Sequence, residues 1–507
     1  MKKTLALLLV LVLAAGALSV NILAYASADK EPYTFTMYSN ITSELTEEDM
    51  KVINAIADSQ NVTVDVQIAP SSNYAESMQL TLASGVYPDL ALFSSTTDMM
   101  YVDACRDGVI IPLNSYLESG DYPDIMNYTY PISWEVLDVL GTGEIFSIPR
   151  TSIARCDCYM IRKDWLDALG YEYDDTKPVT LEWITQVMND FTFGDPDGNG
   201  IDDTYGLSAA SADGNLTIPT AAVQAYGLTG WREYDGEYMN LQYSTTNDAF
   251  KKALAWTAEQ YAKGTIDPDW PTLDTTSSRD RFTQGITGIR GEFVGWMSDN
   301  ETNCRLVNDN ARLSYIVYVV DHEGQATEGG SYSTGYWGAW SIFQTAEHPE
   351  RIMDFLNAML SDDWWTSVKY GIEGDRWEYN ADGNIVATEE FGNISYSAPR
   401  AMLRRNNDPG FFISLDLPLE QRLHVEELLG ICIEQAVFPL DNNFRPSVSD
   451  DMQFIDYQTY MAVQISKIIT GERPVDDWDE ILEGWYAAGG DSYVAEMQAY
   501  IAENQSK

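Results

Sequence analysis

Histidine is nearly absent from this chain of 507 residues, and the usual catalytic motifs are missing. The three histidines are His322, His348 and His424. There is no HExxH pair for a catalytic zinc, no GxSxG nucleophile turn and no glycine-rich phosphate loop. With 78 acidic residues, a carboxylate pair for glycoside hydrolysis can be drawn in many ways, so acidity alone does not indicate one. We therefore predict that the protein is not an enzyme.

Basic residues are also scarce. The sequence has 30 Lys and Arg against 78 Asp and Glu, which gives a formal net charge of −48. A negative field of this kind repels phosphate backbones and anionic lipid surfaces, and the chain has no basic cluster that could bind either. We expect no nucleic-acid partner. The hydrophobic fraction of 45% is nevertheless ordinary and indicates well-packed globular lobes.

The five cysteines are too few for a disulfide scaffold, and an odd number cannot all pair within one chain. Cys156 and Cys158 flank Asp157 in a predicted strand, so both thiols point to the same face but with poor disulfide geometry. A metal site at this pair is disfavoured, because no histidine or further cysteine lies near it in sequence. We expect mostly buried, unpaired thiols.

Only one long apolar run occurs. It extends from Leu5 to Val20 without a charge, follows Lys2 and Lys3, and leads into small residues up to Ala28. These features are typical of a secretory signal peptide over residues 1–28. An uncleaved membrane anchor is the alternative, since the run is barely long enough to span a bilayer. In either case the protein is expected to be exported.

The N-terminal third reads as a strand-helix-strand-helix-strand pattern. Strands are predicted at Tyr33 to Tyr38, Val62 to Ile68 and Asp89 to Phe93, with helices at Glu44 to Ser59 and Asn73 to Ser84. This alternation implies a parallel sheet and an α/β fold class. A mature chain of roughly 480 residues is too large for one core, so two lobes are expected.

An acidic, glycine-containing loop follows a predicted helix at Leu181 to Asp190. Its oxygen donors recur at alternate positions, as in a calcium-binding loop, with Gly200 at the sharp turn. The expected ligands are Asp195, Asp197, Asn199, the carbonyl of Ile201, and Asp203. Position 12 is Gly206 rather than glutamate, so water, Asp202 or a distant residue must complete the shell. We predict a structural Ca²⁺; the alternative is a solvated turn.

Motifs along nearly the whole mature chain resemble the extracellular solute-binding proteins (family 1) of ABC importers, in the branch that includes alginate-oligosaccharide binders. They are RKDWLDALGYEYDDTKPVTLEWITQVMNDF (residues 162–191) with the adjoining DPDGNGIDDTYGL, then GVYPDLALF (85–93), GEIFSIPR (143–150), AKGTIDPDW (262–270), HPERIMDFLNAMLSDD (348–363), YGIEGDRWEY (370–379) and ITGERPVDDWDEILEGWYAAGGDSY (469–493). Each motif is weak alone, but their order is specific.

The resemblance implies the two-lobed, type II fold of periplasmic binding proteins, with a ligand cleft between the lobes. It places residues 29–150 and 321–360 in lobe one, and residues 151–320 and 361–507 in lobe two. A strand at Tyr315 to Val320 is expected to return the chain to lobe one. Gram-positive relatives usually carry a lipid on a signal-peptide cysteine, but the first cysteine here is Cys105. Lipid anchoring is therefore not indicated, and a secreted, periplasmic or signal-anchored protein are all possible.

Aromatic side chains, 12% of the chain, are candidates for ligand contacts, because sugar rings stack on flat indole and phenol surfaces. For any single ring, packing in the core is the commoner role. The resemblance singles out Trp231, Trp296 and Trp337. Tyr38 and Asn40 end the first strand, at the edge where open α/β sheets bind ligands. Arg150, after the first crossing, could bind hydroxyls or a uronate carboxylate, or form a salt bridge between lobes.

These features together predict the substrate-binding component of an ABC importer. It would close on a small carbohydrate ligand, an oligosaccharide in the first instance, and deliver it to the permease subunits. We expect a monomer. Two alternatives remain, since a fold does not determine its ligand: a binder of peptides or other solutes, and an extracellular carbohydrate-active enzyme.

Overall fold

The strands of this protein's two main sheets are short, and most of their residues are buried. A computed structural model describes residues 30–70, 73–211, 214–234, 236–321, 334–438, 440–442 and 444–505. The strands are β1 (Tyr33–Ser39), β2 (Val62–Ile68), β3 (Leu90–Phe93), β4 (Ile148–Thr151), β5 (Tyr159–Arg162), β6 (Val179–Thr180), β7 (Tyr205–Ser208), β8 (Trp231–Tyr234), β9 (Glu237–Asn240), β10 (Thr287–Gly291), β11 (Leu313–Ile316), β12 (Val319–Val320), β13 (Tyr336–Ile342), β14 (Trp377–Tyr379) and β15 (Ile385–Ala387).

Helices fill most of the remaining chain. They are α1 (Glu47–Ser59), α2 (Tyr74–Ser84), α3 (Met99–Arg106), α4 (Asn114–Leu117), α5 (Pro123–Asn127), α6 (Pro131–Glu135), α7 (Lys163–Ala168), α8 (Leu181–Phe193), α9 (Thr220–Ala225), α10 (Ala249–Lys263), α11 (Thr275–Thr283), α12 (Met297–Arg305), α13 (Pro349–Leu360), α14 (Asp362–Tyr370), α15 (Ala398–Met402), α16 (Leu419–Glu434), α17 (Met452–Ile469), α18 (Trp478–Trp485) and α19 (Asp491–Gln505). The signal peptide predicted over residues 1–28 lies outside the described residues.

Local sequence accounts for the limits of these elements. Helix α1 begins at Glu47 because Thr46 forms a capping box with Asp49. The Thr46 hydroxyl accepts from the Asp49 backbone N–H, and the Asp49 carboxylate accepts from the Thr46 backbone N–H. Helix α2 ends at Gly85, which adopts φ +71°. In β2 the buried Val62 and Val64 alternate with exposed polar residues. The predicted strands and helices of the N-terminal third are thus confirmed to within a few residues.

The chain forms two units, each with its own sheet. The first comprises the chain up to Ile153 together with Gly335–Phe411. Its sheet has the strand order β2-β1-β3-β13-β4, with β1 parallel to β2 and β3 and with β13 antiparallel to β3 and β4. The second unit comprises Ala154–Thr334 and Phe412–Lys507. Its main sheet has the order β11-β5-β10-β7, in which β7 and β10 are parallel and β5 is antiparallel to its neighbours.

Two of the predicted boundaries differ from the structure. The strand expected near residues 315–320 to return to lobe one belongs to the second unit, since Ser314 of β11 pairs with Ile161 of β5. The return takes place at Gly335, before β13.

Residues 361–411, which were expected in lobe two, pack in the first unit. Buried acids of α1 hold this segment: Glu48 accepts from the Ile372 N–H at 2.7 Å, and Asp49 from the Ala398 N–H at 2.9 Å. Long-range bonds of this kind leave no periodic signature, so the sequence does not reveal them.

All five cysteines are free and buried, as expected. Gln224 links two of them, donating to the Cys156 sulfur at 3.0 Å and accepting from Cys158 at 3.5 Å. Burial raises the pKa of the Cys158 thiol well above its ordinary value. These thiols therefore behave as packing groups rather than nucleophiles. No helix in the described part of the chain is long and apolar enough to cross a membrane.

Candidate functional site

In the first unit, four strands bring candidate residues to one edge of the sheet. Strands β1, β3 and β4 run in the same direction and end there, and the antiparallel β13 begins there. The carboxyl ends of parallel strands in open α/β sheets form the usual ligand-binding edge. Tyr38 and Asn40, Arg150 and Trp337 all lie at this edge, as the sequence predicted for the first two.

Trp337 protrudes from the edge because β13 carries a bulge there. Tyr336 pairs with Thr151 and Ala339 with Pro149, so three steps along β13 match two along β4. Gly338 adopts φ +70°, and a Cβ at this position would lie 2.8 Å from the carbonyl oxygen of Phe93. The bulge turns the Trp337 side chain outward. It is 50% exposed, whereas the next residues along the strand are buried.

Arg150 lies under that indole. Its guanidinium carbon is 4.8 Å from the centroid of the Trp337 ring, and its Nε donates to the carbonyl of Ala401. The side chain is only 7% exposed. Burial lowers the pKa of Arg150 to about 10, so the group stays charged at neutral pH. The pair therefore offers a flat apolar surface next to a buried cation.

Tyr38 packs against Tyr74, with ring centroids 5.5 Å apart. Tyr74 is fixed in turn, because its hydroxyl donates to the Leu92 carbonyl at 2.6 Å. Asn40 follows directly after β1 and is half-buried. The sequence analysis missed a hydroxyl pair at the same edge, Thr96 and Tyr336, whose oxygens are 2.7 Å apart. Their position just past β3 and at the start of β13 is the signal that could have found them.

In the second unit, a cavity of about 240 Å³ opens at the ends of the parallel strands β7 and β10. It is lined by Tyr159, Leu207, Ser208, Ala209, Ala210, Thr217, Ile218, Pro219, Thr220, Trp270, Thr275, Ser278, Arg290 and Gly291. The Trp270 indole N–H donates to the Ala210 carbonyl at 3.1 Å and fixes one wall. None of these residues was predicted. The run of small residues after β7 was the available signal.

A carboxylate next to this cavity is shared by two arginines. Glu292 accepts from Arg279 at 2.7 Å and forms an ion pair with the buried Arg290. Burial acts to raise the pKa of Glu292, but the hydrogen bonds and charges of the two arginines outweigh it and hold the pKa below the ordinary 4.5. Arg290, the buried cation that lines this cavity, is therefore already paired with a carboxylate of the protein.

The two remaining tryptophans have different surroundings. Trp296 ends the 3-10 turn Val294–Trp296 after β10 and is 39% exposed, with its ring edge-on to Phe293 at 6.2 Å. Trp231 is only 2% exposed and packs with Met497 and Ile501 in a small core cluster. Exposure thus leaves Trp296 available for ligand contact and makes Trp231 a packing residue, so we do not retain Trp231 as a candidate.

The acidic loop folds tightly on itself. Asp195, at φ 48°, accepts from the Gly200 N–H at 3.1 Å. The Asn199 amide donates to Asp197 at 2.9 Å and to Asp203 at 3.2 Å. Burial raises the pKa of Asp197, and the neighbouring Asp203 and Asp195 raise it further. The predicted donor side chains therefore converge, and their mutual repulsion favours a cation.

The same loop does not present a complete metal cage. Across residues 30–505, apart from the gaps given above, no group of three or more His, Cys, Asp and Glu side chains has metal-holding geometry. The donor set predicted from the sequence includes an amide and a backbone carbonyl, which are ordinary calcium ligands. The residues fit calcium by type and by proximity, and the ion remains a prediction.

Comparison with known proteins gives consistent matches. The sequence profile of the family described as bacterial extracellular solute-binding protein matches residues 43–364. The polygalacturonan/rhamnogalacturonan-binding protein YtcQ of Bacillus subtilis is 24% identical over 472 residues, covering 88% of this chain and 87% of the relative. Such coverage extends through both units.

Solved structures resemble the whole fold. The crystal structure of alginate-binding protein AlgQ2 without calcium ion gives a TM-score of 0.69 at 17% identity, covering 93% of this chain and 98% of that one. An EF-hand mutant of the Streptococcus pneumoniae substrate-binding protein FusA, in complex with fructo-nystose, gives 0.62 at 19% identity, covering 93% and 99%. At these identities the likeness establishes the fold.

Proposed function

This chain belongs to the bacterial extracellular solute-binding proteins, and on that premise we propose that it captures an oligosaccharide outside the cell for the permease of an ABC importer. YtcQ is named for binding polygalacturonan and rhamnogalacturonan. Of the similar solved structures, AlgQ2 is named for alginate binding and the FusA mutant was solved with fructo-nystose. The protein would carry its ligand without reacting with it.

The observation that carries the proposal is Trp337 on its bulge. A half-exposed indole at the ligand-binding edge of the first sheet provides a stacking surface for the apolar face of a sugar ring. Polar groups that can bind sugar hydroxyls lie along the same edge, among them Thr96 and Tyr336. A flat ring with hydrogen-bonding groups next to it suits a carbohydrate better than a peptide, which is bound mainly through its backbone.

The second unit adds a similar set. Its cavity lies at the ends of β7 and β10, and Trp296 follows β10. Closure of the protein around a ligand, expected from the family resemblance, remains a prediction. The same proposal includes export through the signal peptide at residues 1–28, which N-terminal sequencing of secreted protein tests. It also includes a monomeric state, which light scattering tests.

A ligand screen followed by two substitutions tests the proposal. Oligosaccharides and peptides would be compared for their ability to raise the melting temperature, because a ligand that binds only the folded state stabilises it. With the sugar that binds, Trp337→Ala and Trp296→Ala are each expected to weaken affinity by about 10- to 100-fold, corresponding to about 1–3 kcal/mol of lost stacking. Both side chains are exposed, so the melting temperature of the free protein should change little.

The matched control is Tyr379→Ala. Tyr379 is 54% exposed and belongs to the first unit, on the β14–β15 hairpin, which forms a separate two-stranded sheet. It should leave affinity unchanged. Stabilisation by peptides but not by sugars would contradict the carbohydrate assignment and favour the peptide-binding alternative. The release of new reducing ends from a bound oligosaccharide would point instead to an enzyme.

We further propose that the loop at residues 195–203 binds a structural Ca²⁺. Support comes from the donor spacing, from the convergence of Asp197 and Asp203 on the Asn199 amide, and from the bond of Asp195 to the adjoining Gly200 N–H. A cation would neutralise the carboxylates, which the uncharged amide donors of the loop only hydrogen-bond. The loop follows α8, whose buried face packs in the core of the second unit, so the ion would stabilise that unit.

A further inference from the structure

The cavity of the second unit is closed at its inner end. Its volume is about 240 Å³, and Tyr159, Leu207 and Trp270 are among the residues that line it. These three side chains are 1–2% exposed and belong to the hydrophobic core of the unit. Because a packed core leaves no room for a chain of sugar rings, such a chain cannot pass through the cavity on that side. A ligand must enter and leave through the same mouth.

The size of the cavity suits one sugar ring. Pockets for drug-sized ligands usually measure about 300–1,000 Å³, and this cavity, at about 240 Å³, lies just below that range. A ring inside a chain carries a glycosidic bond on each side, so both of its neighbours would have to leave by the same mouth. A ring at a chain end or branch tip has a single neighbour. The cavity therefore fits a terminal ring better than an internal one.

The polar groups of the cavity suit an uncharged ligand. Arg290 lines the cavity and is 5% exposed. Its Nη1 is paired with the Glu292 carboxylate, and its Nη2 donates to the Thr275 carbonyl at 3.3 Å. Its Nε is buried and has no hydrogen-bond partner among the described residues. Because a protein carboxylate already compensates the charge of Arg290, the remaining donor requires a neutral acceptor, such as a ring hydroxyl, rather than a carboxylate.

We propose that this cavity binds one uncharged terminal ring of the oligosaccharide, with a ring hydroxyl accepting a hydrogen bond from Arg290 Nε. The inference rests on the proposed oligosaccharide function and deepens it, because the protein would recognise a chain end rather than an internal stretch.

Sugars with one blocked end provide the first test. Titration calorimetry would measure the affinity of the wild-type protein for galactotriose, mannotriose, cellotriose and any further sugar that the ligand screen finds. Each would be compared with a derivative labelled with 2-aminobenzamide at its reducing end and with one carrying a benzylidene acetal at its non-reducing end. At least one derivative of a sugar that binds should bind about 10-fold or more weakly, because the blocked ring no longer fits and the buried Nε stays unpaired.

A second test fills the cavity. Thr217 lines the cavity but is exposed, so Thr217→Trp adds bulk there without replacing a core residue. It should weaken binding of the free sugar by about 10-fold or more and leave the melting temperature of the free protein nearly unchanged. For a derivative that already binds weakly it should cause little further loss, because both changes exclude the same ring. The matched control is Thr459→Trp, at an exposed threonine of α17 in the same unit, which should keep the affinity within about threefold of the wild type.

The outcomes separate this inference from the proposed function. If both derivatives of a sugar that binds lose less than about 10-fold in affinity, or if Thr217→Trp binds that sugar as tightly as the control variant does, recognition of a terminal ring is wrong and oligosaccharide binding stands. If no sugar in this panel or in the broader screen binds, the proposed function itself fails, and this inference fails with it. Should Thr217→Trp not fold, the blocked sugars still decide on the wild-type protein.

Discussion

Gly338 allows a direct test of how the fold presents Trp337. Gly338→Ala places a side chain at φ +70°, which costs about 1–2 kcal/mol for a non-glycine residue. The new Cβ would also lie 2.8 Å from the Phe93 carbonyl oxygen, so β13 and β3 must separate locally. Overpacking of this kind typically costs about 1–3 kcal/mol more. The expected total is about 2–5 kcal/mol of lost stability in the first unit.

The matched control is Gly383→Ala. Gly383 adopts φ +81° in the turn between β14 and β15 of the same unit, and a Cβ there would have no heavy atom within 4 Å. It therefore incurs the backbone cost without the clash. The difference between the two variants isolates the steric contribution at the bulge.

Differential scanning calorimetry and ligand titration measure the two consequences. At roughly 2–4 °C per kcal/mol for a domain of about 150–250 residues, Gly383→Ala should lower the melting temperature by a few degrees. Gly338→Ala should lower it at least twice as far and also weaken sugar binding, because Trp337 shifts with the strand. Equal melting temperatures for both variants, with unchanged affinity, would refute the idea that a glycine bulge positions the indole.

The remaining predictions concern the second unit. Chelation with EGTA should lower the melting temperature of calcium-loaded protein, and the double variant Asp195→Ala, Asp197→Ala should remove the difference. Asp382→Ala, which removes the single acid of the β14–β15 turn in the first unit, should not. An unchanged melting curve on chelation would exclude a structural ion. Glu292 stabilises the fold fully above about pH 4.5, and this contribution is lost as the pH falls through its lowered pKa, so Glu292→Gln should flatten the acid side of the stability profile in urea denaturation. Glu292→Gln should also lower the free energy of unfolding at neutral pH by about 3–5 kcal/mol, because it leaves the buried Arg290 unpaired. A pH profile of stability parallel to that of the wild type would contradict this role of Glu292.

Local patterns were sufficient for much of the fold. The alternation in β2, the cap at Thr46 and the glycine at Gly85 depend on residues only a few positions apart, so they can be read from one segment at a time. The family resemblance, carried by ordered motifs, implied the two-lobed α/β fold and the binding function, and the match over residues 43–364 confirms the family. The acidic loop was also recognised from its spacing, although its ion remains a prediction.

The boundary between the units could not be predicted in this way. Residues 361–411 contain helices α14 and α15, whose local sequence does not assign them to either unit. Their place is decided by buried contacts with Glu48 and Asp49, more than 300 residues earlier in the chain. Contacts at such separation are a property of the assembled structure.

The sequence by itself determined the class of protein, the positions of the first three strands and the first two helices, and a set of six candidate ligand-binding residues. Only the tertiary structure distinguished among those candidates, by burying Trp231 and by leaving Trp296 and Trp337 exposed. It also placed Arg150 under the Trp337 indole without a counter-ion among the described residues. The physical reason is that exposure and charge pairing depend on which elements meet at a sheet edge, whereas helix and strand formation depends mainly on neighbours along the chain.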